Sequence, residues 1–148
     1  MISGRLFNNI GIEALSIAFV LNHEPTLSVS KAVLVSPIVA HNALLTHLAR
    51  KTTKILSFEK YLIEHISNFS NFNRRYYDGL VNSMNSVQLL SELDVIEFID
   101  GHLKLKHPIE YKNTMGKRAE KVSKAASNIA ALLSESSEKL YLNLRIEL

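Results

Sequence analysis

Along most of this chain apolar residues recur every three or four positions, the spacing of helices that hide one side. In one stretch they alternate singly instead. That stretch is DVIEFIDGHLKLKHP, Asp94 to Pro108. Asp100-Gly101 fits a two-residue type I′ turn, in which both residues take positive φ. The turn sets the register: Ile99 opposite His102, Phe98 opposite Leu103, Glu97 opposite Lys104 and Ile96 opposite Leu105. Ile96, Phe98, Leu103 and Leu105 then share one face, expected to lie inward. Glu97 and Lys104 meet on the wet face, an opposite-charge pair worth about 0.2–1 kcal/mol.

The remainder reads as helices. Asn8 or Asn9 is placed to cap a helix from about Ile10 to Asn22, with Ile10, Ala14, Ile17, Ala18 and Leu21 on one side. His23-Glu24-Pro25 ends it. Ser28 or Ser30 opens a second helix, apolar nearly all round through Val39 and hence expected to be buried on most sides. Pro37 removes a backbone donor there and predicts a kink or break at its own position. Helical spacing resumes from Ile38 to about Ala49 through Leu44, Leu45 and Leu48.

A basic connector, Arg50 to Lys54, comes next. Ser57 then heads a helix whose stripe is Phe58, Leu62, Ile63 and Ile66. The turn cluster Asn68 to Asn71 precedes a short helix from Asn73 to about Asn82, weakened by Gly79. Ser83 or Asn85 caps another, Ser86 to Leu93, with Val87 and Leu90 inward. Beyond Pro108 a polar connector leads to Gly116 and to a basic amphipathic helix from about Lys117 to Leu133. Its seam is Ala119, Val122, Ala126, Ile129, Ala130 and Leu133. Ser134 or Ser136 starts a last short helix, and Leu142 to Ile146 alternates like a terminal strand.

The pattern predicts a mainly-α single domain over 1–148. Its parts are an N-terminal helical part (1–50), a winged-helix-like centre (55–107) of three helices plus the β-hairpin, and C-terminal helices (112–148). In a winged helix the third helix, here Ser86 to Leu93, reads the major groove, and the hairpin is the wing.

Composition changes this picture little. The chain has 148 residues, 47% hydrophobic and 21% charged, enough for a real core and too ordered in composition for a disordered tail. Its net charge of +3 is a mild basic bias. The absence of cysteine removes disulfides, thiolate metal sites and cysteine nucleophiles together. The apolar N-terminal stretch contains Glu13 and lacks a charged leader and a small-residue cleavage site. The run from Ala32 to Ala40 is far shorter than a bilayer requires. A cytoplasmic location, with no membrane contact, is the expectation.

The search for chemistry finds few candidates. Met115-Gly116-Lys117-Arg118 has a Gly-Lys pair but neither the earlier glycine nor the hydroxyl residue of a phosphate-binding loop. The six histidines, at 23, 41, 47, 65, 102 and 107, include no pair at i and i+4. Glu13 and Glu64 have no nameable partner. The expectation is a protein that is not an enzyme and takes no cofactor or metal.

Base readout would want Arg, Lys, Asn or Gln on the helix before the hairpin. Asn85 and Gln88 qualify, but that helix has no cation, and Glu92 and Asp94 have the wrong sign for phosphate. The cations lie elsewhere: Arg50, Lys51 and Lys54; Arg74 and Arg75; Lys104 and Lys106; Lys112, Lys117, Arg118, Lys121 and Lys124. Such groups suit backbone phosphate without sequence preference, an acidic protein, or plain solvation.

Several stretches, in order, carry a resemblance: LFNNIGIEALSIAFVL, SKAVLVSPIVAHNALLTHLA, NRRYYDGLVNSMNSVQLLSELDVIEFIDGHLKL, GKRAEKVSKAASNIAALLS and LYLNLRIEL. Together they resemble the small middle component of bacterial three-component ABC systems, to which the Lamassu-type phage-defence accessory subunits are related. The most telling pieces are Ser30-Lys31-Ala32 with Pro37 and His41, then Asn85 to Leu90, then Gly116-Lys117-Arg118. Asn9 departs from the pattern, since many relatives place a proline after asparagine.

The resemblance implies a non-enzymatic adaptor that links an SMC/Rad50-like ABC ATPase to an effector subunit, with possible non-specific DNA contact within the complex. Candidate contact residues are Arg74, Arg75, Lys117 and Arg118, with Lys31 and His41 near Pro37. The alternative is a free-standing winged-helix DNA-binding transcriptional regulator.

Overall fold

A computed structural model of the chain describes residues 11–148. The expected cap at Asn8 or Asn9, and the departure at Asn9, lie outside the described residues. Helix α1 (Ile12–Leu21) is buried continuously from Ala14 to Leu21. It is flanked by the long helix α6 (Phe72–Glu92), by the basic helix α7 (Lys117–Leu132) and by the short α3 (Val35–Val39). An all-round apolar sequence makes this the central helix. Each fully buried large side chain on it contributes about 1.5–3 kcal/mol of hydrophobic stabilisation.

Strand β1 (Thr26–Ser28) follows, then α2 (Val29–Ala32) and α3. The expected break at Pro37 lies four residues upstream, at Val33 and Leu34, and Pro37 itself is inside α3. A proline ring excludes the helical carbonyl of residue i−4, here Val33. As the third residue of α3, Pro37 loses only an N–H that would have no helical partner. A second break falls at Ala40-His41. His41 caps α4 (Asn42–Leu48) by accepting at Nδ1 from the Leu44 N–H, 3.1 Å. Across it the chain bends by 106°. No single described helix is long and apolar enough to cross a membrane.

Ser57 caps α5 (Phe58–Glu64) through the Lys60 N–H, 3.1 Å. Its inward residues are Phe58, Tyr61 and Leu62, whereas Ile63 and Ile66, expected in the stripe, are 75% and 62% exposed. The α-helix ends at Glu64, and a 3₁₀ turn (Ile66–Phe69) brings Phe69 inward in place of Ile66.

Where two short helices were expected, α6 runs unbroken for 21 residues. Ser83 is not a terminus, and Ser83 and Ser86 are both fully buried on its inner side. Gly79 is a close-approach point, because a Cβ there would lie 2.3 Å from Ser36 Oγ of α3. The mainly-α architecture with a hairpin is as expected. The separate helix from Ser86 is not, for small side chains at 79, 83 and 86 let α6 pack tightly along its whole length.

Helix α6 ends in a Schellman arrangement. Asp94 takes φ 62°, the Val95 N–H bonds the Leu90 carbonyl at 2.9 Å, and the Asp94 N–H bonds Ser91 at 3.1 Å. Strands β2 (Ile96–Ile99) and β3 (His102–Leu105) follow in the expected register, with Asp100 and Gly101 at φ 52° and 75°. Strand β1 adds antiparallel to β3, giving the order β1-β3-β2. Ile96 and Leu103 are buried, but Phe98 is 47% exposed rather than inward. It sits on the edge strand β2 near the turn, whereas its partner Leu103 lies in the central strand.

After the 3₁₀ turn Asn113–Met115, α7 buries the whole expected seam, Leu133 included as its C-terminal cap. Ser136 caps α8 (Ser137–Asn143) through the Lys139 N–H. The expected terminal strand is absent. Leu142 belongs to α8 and is exposed, Leu140 and Leu144 turn inward, and Arg145 takes φ 58°.

Candidate functional site

Helix α6 buries Phe72, Tyr76, Val87, Leu89 and Leu90 on its inner side and still leaves large apolar side chains outside. Tyr77, Val81 and Met84 fall at i, i+4 and i+7, one face of a helix, and are 44%, 70% and 46% exposed. The Tyr77 hydroxyl donates to the carbonyl of Glu147. Gln88 continues the row and bonds Glu92 at 3.2 Å. At the end of the row stands the wing, with Phe98 47% and Ile99 45% exposed.

Between helix and wing runs a groove of about 350 Å³ lined by the apolar Met84, Val87 and Phe98 and by the polar Asn85, Gln88, Ser91 and Glu92. On the other side of Met84 a shallower, largely apolar groove of about 470 Å³ is lined by Val33, Tyr76, Leu80, Tyr141 and Leu148. The Tyr141 hydroxyl donates to Ser30 O at 2.6 Å, which fixes α8 against α2. Single exposed apolar residues are ordinary, whereas a connected run beside grooves marks a contact surface. From Asp78 onward α6 carries no Lys or Arg.

The wing is held firmly to α6. Lys106 Nζ lies 2.7 Å from Asp94 Oδ1, and this contact holds the exposed Asp94 carboxyl below its ordinary range. The Lys106 and His107 N–H groups both donate to Val95 O. Glu97 and Lys104 are partners in the ladder, but their charged ends form no ion pair within 4 Å.

The candidate contact residues separate by role. Arg75 is half-buried and donates to the carbonyls of Pro37 (2.7 Å), Asn68 (2.9 Å) and Ser70 (3.1 Å). Arg118 donates to Val39 O at 3.3 Å. With the His41 cap, these three gather at the C-terminal end of α3, where cations suit the free carbonyls. Burial, then the nearby Arg75 charge, lowers the His41 pKa below its ordinary value. Arg74, one residue before Arg75, is 84% exposed at its side chain and 3.8 Å from Asp78. Lys117 is exposed at the start of α7. Lys31 borders a separate groove of about 510 Å³ with Glu24, Thr26, His102 and Ser134.

Two clusters escaped the sequence reading. The first joins Arg50, Lys51 and Lys54 of the connector to Lys124 of α7 around a groove of about 530 Å³. Every cation was visible, but nothing local showed that α7 passes the connector. Asn128 ties the two together, donating to Leu48 O (2.8 Å) and Thr53 O (3.1 Å).

The second cluster stacks His47, Tyr61 and His65, each histidine ring 4.5 Å from a neighbour, with His47 Nδ1 2.7 Å from the Tyr61 hydroxyl. Burial pushes the Tyr61 hydroxyl up to about 12. Burial first, then the His65 and Arg50 charges, lowers the His47 pKa. A search for i, i+4 pairs misses residues brought together from different helices. Among the described residues no group of three His, Asp or Glu side chains is placed to hold a metal ion. The contact chemistry on offer is thus apolar along α6 and the wing, and cationic between α7 and the connector. Against family models, curated proteins and solved structures alike, the chain finds no match.

Proposed function

We propose that the chain is a non-enzymatic adaptor subunit that docks an SMC/Rad50-like ABC ATPase through α6 and the wing and links it to an effector component. The observation that carries this reading is the exposed row Tyr77, Val81 and Met84 with Phe98 of the wing beyond it, on a stretch of α6 that from Asp78 to the wing carries no Lys or Arg. A helix meant for phosphate presents Arg or Lys. Here the one exposed arginine, Arg74, stands at the start of α6 beside Asp78, and from Tyr77 to the wing the row presents aliphatic and aromatic side chains beside two grooves, the surface into which an amphipathic partner helix lays its apolar face. The choice of ATPase and effector as partners, in a bacterial antiphage complex, rests on the sequence resemblance to middle components.

The reading is tested by co-expression with the SMC/Rad50-like ATPase that it expects in the neighbouring reading frame, followed by purification through a tag on the ATPase. Wild-type chain should co-purify at fixed stoichiometry, and Val81→Glu with Met84→Glu should abolish it. Co-purification that the double variant leaves intact moves the docking surface elsewhere. Tight, sequence-selective duplex binding by the isolated chain would favour the regulator instead.

A further inference from the structure

We propose that the groove of Arg50, Lys51, Lys54 and Lys124, continued by Lys121 and Lys117 along α7, binds the phosphate backbone of double-stranded nucleic acid without regard to sequence. The inference goes beyond the adaptor reading and does not depend on it, since it concerns a different face of the molecule. Two elements build the site. The connector after α4 supplies Arg50, Lys51 and Lys54, all exposed, and none of the three has an ion-pair partner among the described residues. Helix α7 brings Lys124 to the same groove. The Asn128 amide and the Thr53 hydroxyl, which donates to His47 O at 2.7 Å, hold the connector in place.

The cations form a row. Lys117, Lys121 and Lys124 fall at i, i+4 and i+7, so they share a face and extend about 10 Å along the axis. A row suits a linear polyanion better than a compact phosphate ligand. Carboxylates intrude little: Glu120 lies 3.7 Å from Lys124 in a solvent-exposed pair, the kind that contributes little and yields readily to phosphate. Lys121 Nζ rests on Asn42 Oδ1 at 3.0 Å, a neutral partner.

The lining also limits what is read. Its polar side chains are Thr53, Ser127 and Asn128, and both protein partners of the Asn128 amide nitrogen are carbonyls of the connector region. That leaves backbone contact as the mode of binding. No aromatic lines the groove, so the stacking platform that grips single strands is missing.

The test is fluorescence anisotropy with the full chain and two labelled duplexes of unrelated sequence, titrated between about 50 and 200 mM salt. Both duplexes should bind with affinities within about twofold. The slope of log K against log salt should be about −5.4, as expected for six phosphate contacts. Lys51→Glu with Lys54→Glu should weaken binding at least about tenfold at the lower salt. Lys124→Gln should flatten the slope by about one unit, and Arg74→Gln, outside the row, should change neither. Circular dichroism melting checks that each variant is folded, and Lys124→Gln serves if the double variant is not. No duplex binding at the lower salt would overturn the proposal. So would variants that bind like wild type, tighter binding of single strands, or equal binding to anionic phospholipid vesicles.

Discussion

The guanidinium of Arg75 donates to three backbone carbonyls and lies 5.0 Å over the Phe72 ring. Arg74 beside it reaches only an exposed aspartate. Truncating Arg75 removes charge-assisted bonds and leaves carbonyls of α3 and the α5–α6 connection unmet. Arg75→Met should therefore destabilise the fold by about 2–3 kcal/mol, and Arg74→Gln by less than about 0.5 kcal/mol. Urea unfolding of the two variants checks the contrast, and equal losses would remove the role assigned to Arg75. The histidines give the pH dependence. His41 and His47 both have pKa values lowered in the folded state from an ordinary 6.5. As pH falls through that value the unfolded chain takes up protons that the folded chain refuses, so stability falls. For His41 burial and the Arg75 charge lower the pKa, and a proton on Nδ1 would also abolish the acceptor that caps α4. The raised Glu13 carboxyl acts in the opposite sense at lower pH, gaining stability as the solution acidifies through the window above 4.5. His47→Gln should accordingly shrink the loss of stability between neutral pH and pH below 6.5. Urea midpoints at the two pH values measure it, and an unchanged difference would contradict the assignment.

At the scale of elements, Gly79 decides how α6 packs. Glycine costs a helix interior about 0.5–1 kcal/mol relative to alanine, so on propensity alone Gly79→Ala would stabilise. The Ser36 hydroxyl, which also donates to Glu13 Oε1 at 3.1 Å, occupies the space a methyl would need. Overpacking of this kind costs about 1–3 kcal/mol, so Gly79→Ala should destabilise on balance, and Ser36→Ala in the same chain should recover most of the loss. A double-mutant cycle by urea unfolding measures this, and additive effects would contradict the close approach. The same helix shows why some elements were legible in sequence and others were not. The hairpin register follows from Asp100-Gly101 alone, because a turn acts on its own neighbours. The caps at Ser57 and Ser136 are equally local. Ser83 and Asn85 look like caps too, yet Ser83 is a fully buried small residue in the middle of α6, which only the tertiary structure reveals. Phe98 likewise obeys the alternation of the hairpin while its burial depends on what covers the edge strand.

For the molecule as a whole, α1 packs between α6 and α7, the two helices that carry the proposed contact faces. The sequence disclosed the ingredients of both but not their grouping. The row on α6 was hidden by reading that helix as two, and Lys124 joins Arg50, Lys51 and Lys54 only through the path of the chain. The two faces should be separable by substitution. Val81→Glu with Met84→Glu, at exposed positions, should leave the unfolding free energy from urea titration within about 0.5 kcal/mol of wild type, and leave duplex binding intact while removing ATPase docking. The most direct measurement is hydrogen exchange on the chain mixed with the proposed ATPase partner, compared with the free chain. The account predicts new protection in peptides covering Tyr77 to Gln88 and Ile96 to Ile99, and none over Lys117 to Lys124. Protection confined to other segments, or none along α6 and the wing, would contradict it.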